Sequence, residues 1–241
     1  MYRKLDSGRI VETAERLRRR IAERFPDSGL SQVAAELEQV TREASSLSAY
    51  LRRPHLPLRV ASVASVLALA SVVVLAAVKL QGELAPHVWS DWVQGLEALV
   101  NDVVFVGVAA WFLLGLEVRR KRARALDALH VLRSLAHIVD MHQLTKDPES
   151  LVHGPATASS PERRMTAFEL TRYLDYSTEL LAIVSKVAAL YVQEFSDPVT
   201  VNAASDVEDL AVNLSRTIWQ KIVILDRVAG SNAIQEAVEP T

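Results

Sequence analysis

Residues 60–78 read VASVASVLALASVVVLAAV, nineteen positions without a charge. Residues 96–116 read LEALVNDVVFVGVAAWFLLGL, a second apolar stretch with Glu97, Asn101 and Asp102 near its start. A helix of about 20 apolar residues crosses a hydrocarbon core roughly 30 Å thick. Both stretches reach that length, and the sequence on either side of them has polar-patterned helical periodicity. The expected fold class is all-α: a two-helix transmembrane hairpin with a cytoplasmic helical bundle, formed by N- and C-terminal helices and a long stalk helix.

Composition fits this reading. Half of the residues are hydrophobic and 23% are charged, which suits a membrane segment joined to soluble helices. Only eight glycines and nine prolines imply few turns and long helices. The absence of cysteine excludes disulfides, thiol nucleophiles and thiolate metal sites, and fits a reducing compartment. A net charge of −2 carries no nucleic-acid footprint. Val60 lies too far from Met1 to be the core of a cleaved signal peptide, so a permanent span is expected.

Charge sets the orientation. Twelve Lys and Arg residues precede Val60, fourteen follow Leu116, and Lys79 alone lies between the spans. The positive-inside rule then places both termini in the cytoplasm and the connection at residues 79–95 outside.

The expected organisation is a helical hairpin over residues 1–57, the transmembrane hairpin over 58–116, and a stalk over 117–146. A linker follows over 147–160, then a second helical hairpin over 161–228 and a frayed tail over 229–241. In the first hairpin, Ile10, Ala14, Leu17, Ile21 and Phe25 recur at helical spacing, and Pro26-Asp27-Ser28-Gly29 reads as a turn. Leu30, Val33, Leu37, Val40, Ala44, Leu47 and Leu51 then form a strict seam over three heptads. Antiparallel packing within the chain is the plain reading of it; an intermolecular coiled coil is the alternative. In the first span Ala61, Ala64, Ala68 and Ser71 make a stripe of small residues, suited to close approach of the second span or another subunit.

Ser90 is a plausible N-cap for the second span. No proline occurs between Ser90 and Lys146, and the seam Ala125, Leu129, Leu132, Ala136 and Val139 continues past the apolar stretch. One unbroken helix of about 50 residues is expected there, roughly 75 Å long. Ser160-Pro161-Glu162 reads as the start of the next helix. Its apolar residues include Phe168, Leu174, Leu181, Val184, Ala188, Tyr191 and Phe195. Its apolar run over 180–192 is too short for a third span. A last helix follows Asp197-Pro198, with Val207, Leu210, Leu214, Ile218, Ile222 and Leu225 inward.

The stretches DMHQLTKDP (140–148) and LSRTIWQKI (214–222), with Glu23-Arg24-Phe25-Pro26 and Ser28-Gly29-Leu30, resemble a group of uncharacterised bacterial two-span membrane proteins. The resemblance implies a multi-pass protein of the bacterial inner membrane and no particular activity.

Asp102 is the leading candidate for chemistry. An ionisable residue inside a span is costly and faces a bundle interior or water. With the outer boundary at Glu97, Asp102 lies about 7–8 Å deep. Asn101, Asp102, Lys79 and Glu97 are thus the intramembrane polar set. In a ring of subunits Asp102 would form an acidic ring admitting cations. The plainer alternatives are a Lys79 partner or snorkelling to the interface. Trp89 and Trp92 suit an interfacial aromatic belt. Arg52, Arg53, Arg59, Arg119, Arg120, Lys121, Arg122 and Arg124 are candidate contacts for anionic headgroups as well as topology signals. Asp127, His130, Ser134, His137 and Asp140 lie near one stalk face. Arg133 between the histidines argues for a solvated polar stripe rather than a metal site. No phosphate loop, dinucleotide fingerprint, metalloprotease helix or nucleophile elbow occurs. The expected function is a non-enzymatic membrane scaffold or adaptor without cofactor. It would self-associate, contact membrane lipids and offer a helical surface to a cytoplasmic protein. The alternative is a homo-oligomeric ion channel with Asp102 near its outer mouth.

Overall fold

The computed structural model describes residues 4–83, 89–146 and 165–238. These residues form seven helices and no strand: α1 (Ser7–Arg24), α2 (Gly29–Arg52), α3 (Leu56–Glu83), α4 (Trp89–Leu114), α5 (Leu116–Leu144), α6 (Ala167–Glu194) and α7 (Pro198–Val238). The linker at 147–160 and the expected cap at Ser160-Pro161 lie outside the described residues.

The chain divides into two units, Arg53–Ala123 and the rest. In the larger unit one hydrophobic cluster draws on α1, α2, α5, α6 and α7. Local signals start these helices where the backbone needs partners. The Asp6 carboxylate accepts from the Gly8 N–H at 2.8 Å and caps α1. Ser28 Oγ accepts from the Ser31 N–H at 3.1 Å at the head of α2. The seam on α2 is buried within the chain, with Leu47 partly so. Ala125, Leu129, Leu132, Ala136 and Val139 of α5 are buried as well, as are the α1 seam and most of the inward set of α6 and α7.

Four local expectations are corrected. Helix α6 is capped by Thr166, which forms a reciprocal capping box with Glu169, and Phe168 in its first turn is 62% exposed. Helix α7 continues through Gly230 to Val238 instead of ending before a frayed tail. Helix α4 begins at Trp89, so Ser90 lies within its first turn rather than at the cap. The expected unbroken helix is interrupted at Gly115. There the Arg119 guanidinium donates to the Phe112 carbonyl, and a side chain inserted into the ladder breaks helical regularity. Backbone bonds from Gly115 to Trp111 and from Arg119 to Gly115, at 3.2 and 3.1 Å, keep the two helices nearly continuous.

In the smaller unit, α3 and α4 contact each other, and two helices of the chain are long and apolar enough to cross a membrane. The face of α3 that is covered carries Ser62, buried, with Leu58, Val66, Ala70 and Val73 half-buried. The small stripe Ala61, Ala64, Ala68 and Ser71 is exposed, so it is not the face that meets α4. On α4 the half-buried residues are Val106, Ala109, Ala110 and Leu113.

Candidate functional site

Where the apolar stretches end, the smaller unit holds a compact charged junction centred on Glu117. This residue opens α5 and is only 7% exposed. Its carboxylate pairs with the Arg59 guanidinium from α3 and with the Lys121 ammonium one turn along α5, the latter at 2.9 Å. It also accepts the His55 backbone N–H at 3.1 Å. The Lys121 ammonium in turn donates to the Arg53 carbonyl at 2.8 Å. Arg59, then Lys121 and the His55 amide, hold the Glu117 carboxyl down at about 2 against burial, which acts the other way. The junction ties the segment between α2 and α3 to the start of α5. Its chemistry is that of an ionised, fully bonded carboxylate: it fixes geometry and has no free proton to move.

Arg119 makes a second contact at this level. Its guanidinium lies 4.4 Å from the Phe112 ring centre and 5.5 Å from that of Trp111. Cation–π contacts of this kind stabilise a cation beside apolar surface.

The sequence-derived site residues fall into distinct settings. Glu97, Asn101 and Asp102 are exposed on α4, surrounded in sequence by exposed Val100, Val103 and Phe105. The side chains of Lys79, Trp89 and Trp92 lie outside the described residues. Arg52, Arg53, Arg120 and Arg124 are exposed, with Arg124 lying 4.5 Å over the Tyr50 ring. Lys121 is buried in the Glu117 junction, which sets it apart from the exposed bases. Arg122 is half-buried and engaged. On α5, His130 and His137 are exposed, Ser134 donates to the His130 carbonyl, and Asp140 accepts from Gln143 at 2.6 Å.

Sequence reasoning overlooked Glu117. Its spacing from Lys121, one helical turn, was the available signal. The pairing with Arg59, 58 residues away, has no local signature. Also overlooked was a polar knot in the larger unit. Buried Gln143 accepts the Lys221 ammonium on its side-chain oxygen at 2.7 Å and on its carbonyl at 3.1 Å. The neighbouring His142 ring lies so close to Gly29 that a Cβ there would fall 2.2 Å from it. Phe25 meets the Tyr173 ring edge-on at 5.5 Å, and burial pushes the Tyr173 hydroxyl up to about 12. Segments 23–30, 140–146 and 214–222 are thereby brought together.

No protein-family model, curated protein or solved structure matches the chain.

Proposed function

We propose that this protein is a non-enzymatic scaffold or adaptor anchored in the bacterial inner membrane by α3 and α4. Both termini are cytoplasmic, and the five-helix unit forms a self-associating cytoplasmic surface. One observation carries the reading: α3 and α4 expose large apolar side chains on most faces, while the larger unit closes its own core. Leu67, Leu75, Phe105 and Trp111 are 63, 64, 74 and 73% exposed. Apolar surface of that extent requires a lipid or protein cover. The exposed bases Arg53, Arg120 and Arg124 would contact anionic headgroups, with Glu117 locking the hairpin at the boundary.

The native chain has no cysteine, so single cysteines report topology cleanly. On intact cells, a membrane-impermeant thiol reagent is expected to label Ser90→Cys and to spare Ser159→Cys. The reverse pattern overturns the orientation. Light scattering of the purified protein in detergent should give a mass above one protomer.

A second reading is a homo-oligomeric cation pore. It is favoured by the exposure of Asn101 and Asp102 within the apolar stretch of α4, where polar groups need water or a partner. Reconstituted protein would then conduct cations, and Asp102→Asn would lower conductance without dissociating the assembly. Liposomes with no ion flux above empty controls exclude it.

A further inference from the structure

Within the larger unit, a polar cleft of about 370 Å³ opens between the N-terminal strap, α2 and the end of α6. Its size falls in the lower part of the roughly 300–1,000 Å³ typical of small-molecule sites.

The strap that forms one wall is fixed rather than loose. The Gln193 side-chain amide bonds both polar groups of the Leu5 backbone, accepting at 2.6 Å and donating at 3.2 Å. Most charges in the cleft are satisfied internally. Asp6 is committed to the α1 cap, and Lys4 pairs with Glu194 at 3.4 Å.

Two lining groups have no partner among the described residues. The Ser48 hydroxyl sits on a residue only 6% exposed. Arg52, the last residue of α2, brings an exposed guanidinium. The Ser48 oxygen is nonetheless open to solvent, so a ligand there would replace water. Ser45, already bonded to Ser7 at 3.0 Å, adds a further hydroxyl. Beside them the Glu194 carboxylate, 13% exposed, keeps one oxygen clear of the Lys4 contact. That oxygen would repel a bare anion and accept a ligand hydroxyl.

We infer that the cleft binds a phosphate ester of a small polyol, the chemistry shared by a phosphoglycerol lipid headgroup and the free ester. Arg52 takes the phosphate, Ser48 donates to one of its oxygens, and Ser45 and Glu194 accept from the polyol. Guanidinium–phosphate bonds are the strongest of these contacts. The inference stands on the cleft alone; only its lipid source rests on the membrane reading. Arg52 lies four positions before α3 begins at Leu56.

The test uses the full chain. In phosphate-free detergent it is titrated calorimetrically with glycerol 3-phosphate, with inorganic phosphate and glycerol as controls. In nanodiscs its melting is compared between phosphatidylglycerol and phosphatidylcholine. Arg52→Gln is expected to weaken the response about tenfold or more, the scale of a lost charge-assisted bond. Ser48→Ala should weaken it by a smaller factor, and Arg216→Gln, exposed on α7, should leave it unchanged. A response to the free ester supports a soluble source, and one confined to phosphatidylglycerol supports the headgroup. Response in neither arm, equal binding of inorganic phosphate, or indifference to both Arg52→Gln and Ser48→Ala overturns the inference. Cysteine labelling is independent of these outcomes, so failure here leaves the anchoring question to be decided separately.

Discussion

Leu132 and Leu67 are the same residue in opposite worlds. The first, on α5, is fully buried among helices of the larger unit, and the second, on α3, is 63% exposed. The contrast extends through both units: one gathers its apolar side chains inward, the other turns them out. In water the inward arrangement is driven by removal of apolar surface, worth about 25 cal/mol per Å². The outward arrangement needs a cover of lipid or protein; in lipid, packing and backbone hydrogen bonding would hold the helices.

The largest expected effect divides the units directly. Leu132→Ala should destabilise the protein by about 2–5 kcal/mol, because it opens a cavity in a closed core. Leu67→Ala should stay within about 0.5 kcal/mol, as for an exposed site. Denaturant melts in detergent measure both. Equal losses would mean that α3 is covered by protein at Leu67.

The same contrast explains what the sequence reveals. In α2 polar residues fill the outward faces, so the spacing of Leu30, Val33 and Leu37 points to the buried side, and those residues are buried. In α3 nearly every residue is apolar, and periodicity no longer separates the face toward α4 from the exposed face. The small stripe at Ala61, Ala64, Ala68 and Ser71 therefore does not mark the face toward α4, which runs through Ser62 and Val66. Phe168 fails for another reason: it sits in the first turn of α6, under the Arg24 guanidinium at 5.3 Å, beyond the reach of the core. Of the charged junction, the Glu117–Lys121 spacing was legible. The Arg59 and His55 contacts depend on α3 and α5 being brought together, which no local pattern encodes.

Second in size is Glu117→Gln. It removes the charge that Arg59 and buried Lys121 share, and should cost about 1.5–3 kcal/mol, the range for hydrogen bonds to charged groups. The pH dependence has a definite sign. The folded carboxyl titrates at about 2, below its ordinary 4.5. Its stabilisation is thus complete above pH 4.5 and is lost as pH falls towards 2. The wild type should show this extra acid sensitivity in its melting temperature and Glu117→Gln should lack it. Identical slopes would mean that the junction does not hold the smaller unit together.

Gly29→Ala tests the tightness of the larger unit. The new Cβ would fall 2.2 Å from the His142 ring, so the imidazole must swing away. Overpacking of this kind costs about 1–3 kcal/mol, and the low end is expected because a side-chain terminus can move. His142→Ala in the same chain should recover most of the loss. Without recovery, the strain lies in the α2 backbone instead.

Gly115→Ala should have the smallest effect, and it bears on the one place where α4 and α5 part. Alanine is favoured over glycine in a helix by about 1 kcal/mol, which would act to close the interruption. Against this, the new Cβ would lie 3.2 Å from both the Trp111 carbonyl oxygen and an Arg119 guanidinium nitrogen. Arg119 would have to give by a few tenths of an ångström while holding its bond to the Phe112 carbonyl and its place over the Phe112 ring. The two terms oppose each other, so a net stabilisation of no more than about 0.5 kcal/mol is expected. Combining it with Arg119→Gln removes the side-chain part of the obstruction and should let amides 115–119 gain protection in hydrogen exchange beyond either single change. If Gly115→Ala instead destabilises by more than about 1 kcal/mol, the junction needs glycine for close approach, and the interruption is a packed feature rather than a gap left by weak helix propensity.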